Sequence, residues 1–206
     1  MATVSLVWLA AVVGYLPAQL VYVIVSSSVV SAYPRLRRYN YWTYAAFSLL
    51  YGGAFYVVAP VSVPFAFRSA YLALVPVGFA MYYADTYAVS RAVGTSLQRD
   101  VSHPFSMLPI LLVPIPEEIL FRAGLAPLID AFGPVAFGVA SALLFGLIHF
   151  TFGARDVVVK VGNGIVFASV FVVTGSVTAT ILVHLGYNLA SFHVFSDYSE
   201  DLAALP

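Results

Sequence analysis

The chain has 206 residues, 62% hydrophobic and 9% charged, with a mean hydropathy of +0.95; a water-soluble domain carries about 25% charged residues. Nine basic and nine acidic residues give a formal net charge of zero, which argues against nucleic-acid binding and a polybasic lipid-binding tail. The absence of cysteine excludes disulfides, palmitoylation and thiolate metal sites, and leaves the chemistry to Glu, Asp, His, Ser, Thr and Tyr.

The composition is that of an integral membrane protein. A helical crossing takes about 20 mostly apolar residues, so the length accommodates roughly six to eight spans in an all-α polytopic bundle. A single integral membrane domain over residues 1–206 is expected. Apolar runs bounded by charge, Pro or Gly predict about seven spans: Val4–Ala32, Tyr44–Val61, Ser69–Ser90, Phe105–Ile129, Pro134–Phe150, Val157–Val173 and Val177–Phe195. Val30-Ser31-Ala32 resembles a signal-peptide cleavage site. No Lys or Arg precedes it, and the run is longer than an h-region of about 7 to 15 residues, so it reads as a retained first span. That span is long enough to tilt, or to kink at Pro17.

Basic residues set the expected orientation. Arg35, Arg37 and Arg38 follow the first span, Arg91 and Arg99 the third, and Arg155 and Lys160 the fifth, whereas the alternate loops hold almost only Arg68. The loops rich in Lys and Arg face the cytoplasm. The N-terminus is therefore expected outside the cell membrane and the acidic tail, Asp197, Glu200 and Asp201, inside. Tyr39, Tyr41, Trp42 and Tyr44, then Tyr82, Tyr83 and Tyr87, crowd span boundaries and read as interfacial belts.

Ionisable residues within the spans concentrate in the C-terminal half. Such a residue costs about 2.5 to 3.5 kcal/mol at the bilayer centre on insertion scales and points to a functional site. Glu117, Glu118 and Arg122 fall mid-span in the fourth run, His149 near the cytoplasmic end of the fifth, and His184 with Asn188 in the seventh. Glu118 and Arg122 are four apart and share a face, the spacing of an intrahelical ion pair. Glu117 is rotated about 100° away and left over. His184 and Asn188, also four apart, present an imidazole beside an amide. Gly186, with Gly138, Ser141 and Gly146, provides small surfaces for close helix contact. His103 and His193 read as interfacial, Asp85 as facing the cytoplasmic headgroups and Lys160 as snorkelling. Asn163, between Gly162 and Gly164, is read as capping or packing.

If the fourth, fifth and seventh spans converge, Glu117, His149, His184 and Asn188 meet in a polar pocket within apolar surroundings, the inventory of a hydrolase. Desolvation makes a carboxylate a stronger base, suited to take a proton from water. His149 could share that proton or give it to a leaving amine, and His184 with Asn188 could stabilise an oxyanion. Two other readings use the same residues: a proton-coupled transporter, and a non-enzymatic immunity or scaffold protein in which Glu117 and His149 pair to hold helices together.

Glu117-Glu118-Ile-Leu-Phe-Arg122, Phe145-Gly-Leu-Ile-His149 and His184-Leu-Gly-Tyr-Asn188 resemble the three motifs of the CPBP family. This group takes in the CAAX prenyl protease 2 (Rce1-type) and bacteriocin-processing intramembrane proteases, also called the Abi family. Thr174-Gly175-Ser176 resembles the short turn ahead of the last motif; Ala123 departs from the Gly that often follows the motif Arg. The likeness runs from about Pro116 to Ala190, within motif-bearing helices at about 105–195. It implies an intramembrane endopeptidase with Glu117 as general base, assisted by His149, with His184 and Asn188 at the oxyanion and Glu118 and Arg122 in support. It further implies a peptide or protein substrate, either membrane-associated or prenylated. Family members are described both as metalloproteases and as metal-free glutamate enzymes. If zinc or another divalent metal is held, Glu117, His149 and His184 would be its ligands, with a position open for water; the chain lacks a His-Glu-x-x-His segment, and the metal-free form is favoured.

Overall fold

The computed structural model describes residues 6–59, 62–94, 97–98, 108–191 and 195–196. Arg99, His103, His193, Asp197, Glu200 and Asp201 lie outside the described residues, as do the start of the predicted fourth span and the outer ends of the first and second. A bilayer offers no hydrogen bonds to the backbone, so apolar segments are driven to satisfy it internally as helices. Among the described residues, seven helices form: α1 (Leu6–Ala32), α2 (Asn40–Val58), α3 (Leu74–Val93), α4 (Pro114–Glu118), α5 (Pro127–Leu147), α6 (Ala154–Thr174) and α7 (Val177–Ala190). Four stretches among the described residues are long and apolar enough to cross a membrane: Trp8–Ala32, Ser69–Val93, Pro127–Leu147 and Ala154–Thr174; α7 is a shorter apolar helix. A two-residue antiparallel pair joins β1 (Leu97–Gln98) to β2 (Phe195–Ser196), so Phe195 does not extend the seventh helix as its run predicts.

The largest departure from the sequence pattern is the fourth run. A continuous helix over Phe105–Ile129 is not formed: a 3-10 turn at Leu108–Leu111 leads to five-residue α4, a π turn at Ile119–Ala123, and then α5. Pro109, Pro114 and Pro116 are the cause, since each removes a backbone donor and crowds the preceding turn. The π turn closes through Gly124 N–H donating to Ile119 O at 2.7 Å, a five-residue step. From Val113 to Leu125 every residue but Ile115 is buried. Irregular backbone at membrane depth is tolerated only where protein covers it, and this segment is the centre of the bundle. Gly133, at φ 86° and ψ 165°, breaks α5 just before Pro134, where the fifth span is predicted to begin.

Around that centre apolar side chains face outward, and polar ones are held inside a largely apolar core. Val57, Val135 and Val173 are 81%, 78% and 85% exposed, whereas Gln19, Ser48, Glu117, Glu118, Arg122, Ser141, Asn163, Thr180 and His184 are buried. That inversion suits a lipid solvent.

Close helix contacts rest on glycines. A Cβ on Gly78 would overlap the Val183 carbonyl, and one on Gly186 the Val75 carbonyl, so α3 and α7 touch backbone to backbone. Gly186 thus faces α3, not the fourth or fifth span. Gly146 packs α5 on Val161 of α6, and Gly52 packs α2 on Pro116, where an added Cβ would lie 2.6 Å from the proline's own. Gly138 has nothing within 4 Å of an added Cβ and serves no contact, contrary to expectation. Gly186→Val is therefore expected to lower the thermal unfolding midpoint in detergent, by a destabilisation of about 1–3 kcal/mol. Gly138→Val, measured alongside, should leave the midpoint in place.

Gly175, at φ 64°, ends α6 in the left-handed conformation that favours glycine. Ser176 Oγ then donates to Ala66 O, and Val177 N to Pro64 O at 3.0 Å, tying the start of α7 to the extended segment before α3. The Thr174-Gly175-Ser176 turn therefore fixes where α7 starts, and His184 with it.

Candidate active site

Glu117 and Glu118 end α4, where their neighbours on the sequence bury them on opposite errands. Glu118 is fully buried and bridges a guanidinium and an imidazole: its Oε2 lies 3.0 Å from Arg122 Nε, and its Oε1 2.8 Å from His184 Nδ1. The Arg122 contact falls outside hydrogen-bond geometry, so that pair is held by charge alone, and no hydrogen bond reaches the other guanidinium nitrogens among the described residues. In place of hydrogen bonds, the guanidinium carbon sits 4.9 Å from the ring centre of Phe145 and 5.4 Å from that of Phe167. Aromatic faces attract a desolvated cation.

The same two rings hold His184, stacked on Phe167 at 4.7 Å and edge-on to Phe145 at 5.5 Å. With Nδ1 engaged by a carboxylate, which can only accept, the hydrogen sits on Nδ1 and the ring turns Nε2 toward Glu117. Glu117 Oε2 lies 3.9 Å from that atom. Its Oε1 accepts from the Tyr44 hydroxyl at 3.3 Å, and Tyr44 in turn accepts from Gln19 Nε2 at 3.2 Å. A polar chain thus runs from α1 through α2 and α4 to α7.

His149 and Asn188 lie further out. His149 Nδ1 donates to Phe145 O at 2.8 Å, which leaves Nε2 with a lone pair. Its ring is 5.1 Å from that of Phe145, which also touches His184, and no hydrogen bond or ion pair joins His149 to Glu117 among the described residues. Asn188 Nδ2 donates to Ile110 O at 3.0 Å, in the turn leading to α4, and keeps a second hydrogen free. Ser141 Oγ donates to Phe121 O at 2.8 Å and so satisfies a carbonyl in the π turn. Among the described residues no three His, Asp or Glu side chains converge with the spacing of metal ligands.

Several sequence expectations change here. Tyr44 is not part of an interfacial belt but a partner of Glu117. Gln19 also escaped notice, although an amide in the middle of a 27-residue apolar helix was the available signal. Tyr82 packs edge-on against Tyr187 at 5.1 Å, which likewise removes it from the belt. Tyr41, Tyr83 and Tyr87 are exposed, as belt residues are. Asp85 has a buried carboxylate oxygen, and Lys160 does not snorkel away: its Nζ stands 4.2 Å from the ring centre of Tyr187.

Beside Tyr44, an apolar cavity of about 480 Å³ opens between α1 and α2, lined by residues that include Val21, Tyr22, Val25, Thr43 and Phe47. The ring of Tyr22, in the cavity wall, is 5.8 Å from that of Tyr44.

Comparisons with curated proteins and with solved structures returned no match. A family model did match, over the stretch that holds all of α4 to α7 and every motif residue described above. Residues 101–190 match the family model described as Type II CAAX prenyl endopeptidase Rce1-like.

Proposed function

We propose that the chain is an intramembrane endopeptidase in which Glu117 activates water for attack on a peptide carbonyl. The observation that carries this reading is the 3.9 Å between Glu117 Oε2 and His184 Nε2, both buried, with His184 pinned from behind by Glu118. One water can contact both atoms at that separation. As Glu117 takes its proton, the water oxygen bonds to the carbonyl carbon and the carbonyl electron pair moves onto oxygen. His184 Nε2, when protonated, and the free Asn188 hydrogen donate to that oxyanion. Collapse breaks the C–N bond as the amine gains a proton, for which His149 Nε2 is the shuttle. Phe145, between the two histidines, keeps the site dry.

The reading extends to the surroundings. The site opens toward the cytoplasm with the N-terminus outside, supported by the Lys and Arg bias of the loops. The substrate is a peptide or protein held at the membrane, and the apolar cavity beside Tyr44 supports one that carries a lipid-like chain. The enzyme needs no metal. Purified protein in detergent is accordingly expected to cleave a fluorogenic peptide library at a rate that EDTA changes by less than about twofold; loss of activity on chelation, restored by zinc, would sink the metal-free form. Solute flux in proteoliposomes without any cleavage would instead favour a transporter.

A further inference from the structure

Polar side chains recur along the contact between α1 and α2, outside the three motifs. Tyr15 and Gln19, four apart, share one face of α1, and Tyr44 and Ser48, also four apart, share the facing side of α2. They meet in rungs. The Tyr15 and Ser48 hydroxyls are 2.8 Å apart, Gln19 Nε2 donates to the Tyr44 hydroxyl at 3.2 Å, and the Tyr22 hydroxyl is 2.8 Å from Thr43 Oγ1. Hydrogen bonds between helices join membrane bundles, and the two rungs made of hydroxyls do that and close on themselves.

The middle rung does not close. A tyrosine hydroxyl has one hydrogen, and a carboxylate can only accept. Tyr44 sends its hydrogen out of the pair, to Glu117 Oε1 on α4 at 3.3 Å. Gln19, which is 4% exposed, is left to donate, and its own Oε1 is buried without a hydrogen-bond partner among the described residues. A pair that served only to join α1 to α2 would keep its hydrogen between them. By filling a lone pair on the Tyr44 oxygen, the Gln19 N–H turns the hydroxyl hydrogen away from α1 and toward Glu117. Gly52 makes the reach possible, because its missing Cβ lets α2 sit directly on Pro116, the residue before Glu117.

We infer that Tyr44 and Gln19 are positioning residues for the general base: Tyr44, steered by Gln19, holds Glu117 Oε1 and so reserves Oε2 for the proton taken from water. This rests on the peptidase reading. The last torsion of a glutamate is broad and roughly two-fold, so the two carboxylate oxygens are interchangeable until a donor marks one of them. With Oε1 engaged, Oε2 is the oxygen that faces His184 Nε2 at 3.9 Å, where one water meets both. Both residues act through Glu117, and both precede the matched stretch at residues 101–190. The aim of the base is thus set from helices that the family model does not cover.

The test measures kcat and KM on one cleavable peptide, beside a melting curve in the same detergent. Tyr44→Phe is expected to lower kcat by about 10- to 100-fold, the scale of a misaligned reacting group, with KM within about twofold of wild type. Gln19→Met should lower kcat by about three- to tenfold, the size of one neutral hydrogen bond. In the Glu117→Gln background, followed by single turnover with enzyme in excess, Tyr44→Phe should change the rate by less than about twofold, since no base is left to aim. An equal factor in both backgrounds overturns the inference, because a merely structural tyrosine acts that way. So does a kcat for Tyr44→Phe within about twofold of wild type, which leaves the peptidase reading intact. Should Tyr44→Phe fail to fold, Gln19→Met decides, and an unchanged kcat there overturns the inference. Failure of the wild type to cleave any peptide overturns the peptidase reading, and the positioning role with it.

Discussion

Glu117→Gln is expected to lower kcat/KM for peptide cleavage by about 10²–10⁴, the usual contribution of a general base, with the protein still folded. The amide keeps the volume of the carboxylate and an oxygen for the Tyr44 hydroxyl, which donates to Oε1 at 3.3 Å. What it cannot do is take a proton. Since Glu117 is 2% exposed, its replacement by a neutral group removes a desolvated charge, so thermal stability should hold or rise. Initial rates on the best peptide substrate, read beside a melting curve in the same detergent, check both halves. Activity within about threefold of wild type would remove Glu117 from the mechanism; a collapse of stability would make it structural.

Glu118→Gln is expected to do the opposite, with its main effect on the fold. Arg122 is fully buried, meets Glu118 by charge alone and has no hydrogen bond to its guanidinium among the described residues. Removal of one partner from such a pair costs about 3–5 kcal/mol, because the other charge is stranded. The double variant Glu118→Gln, Arg122→Met removes both charges and leaves a flexible apolar side chain between Phe145 and Phe167; it should recover most of the lost stability. Activity should not recover with it. His184 Nδ1 loses the carboxylate 2.8 Å away that turns Nε2 toward Glu117, and loss of an orienting carboxylate behind a working histidine costs on the order of 10²-fold or more. A double variant that is both stable and fully active would show that the ion pair has no part in placing His184.

Much of this was open to a reader of the sequence, because a membrane protein announces its interior by charge. An apolar run needs no explanation in lipid, whereas Glu117, Glu118, Arg122 and His184 each do, and all four are buried together. The spacing of four between Glu118 and Arg122 correctly joined them. It could not show that Glu118 also takes His184, since contact between α4 and α7 has no signature in local spacing. The seven helices followed from hydropathy, but the break in the fourth run did not. Hydropathy sums over a window and is blind to Pro109, Pro114 and Pro116, which deny the backbone its regular bonds without making the run less apolar. Tyr44 shows a different failure. A tyrosine near a helix end is equally at home among headgroups or reaching inward, and only the packing of α2 on α4 through Gly52 decides which.

The broken segment around Glu117 also bears on how this protein is made. Ten residues in α4 and its π turn hold two carboxylates and a guanidinium, and each such group costs about 2.5–3.5 kcal/mol at the centre of a bilayer. No segment of that length and polarity can enter lipid alone as the chain leaves the ribosome. One of Glu118's two partners, His184, is on α7, 66 residues further along the chain. The segment must therefore wait at the membrane boundary, or in the shelter of the insertion machinery, until α7 arrives to close over it. Assembly of the Glu117–His184 cluster and docking of α7 become a single late event, so a chain that has not yet reached α7 holds only half of it.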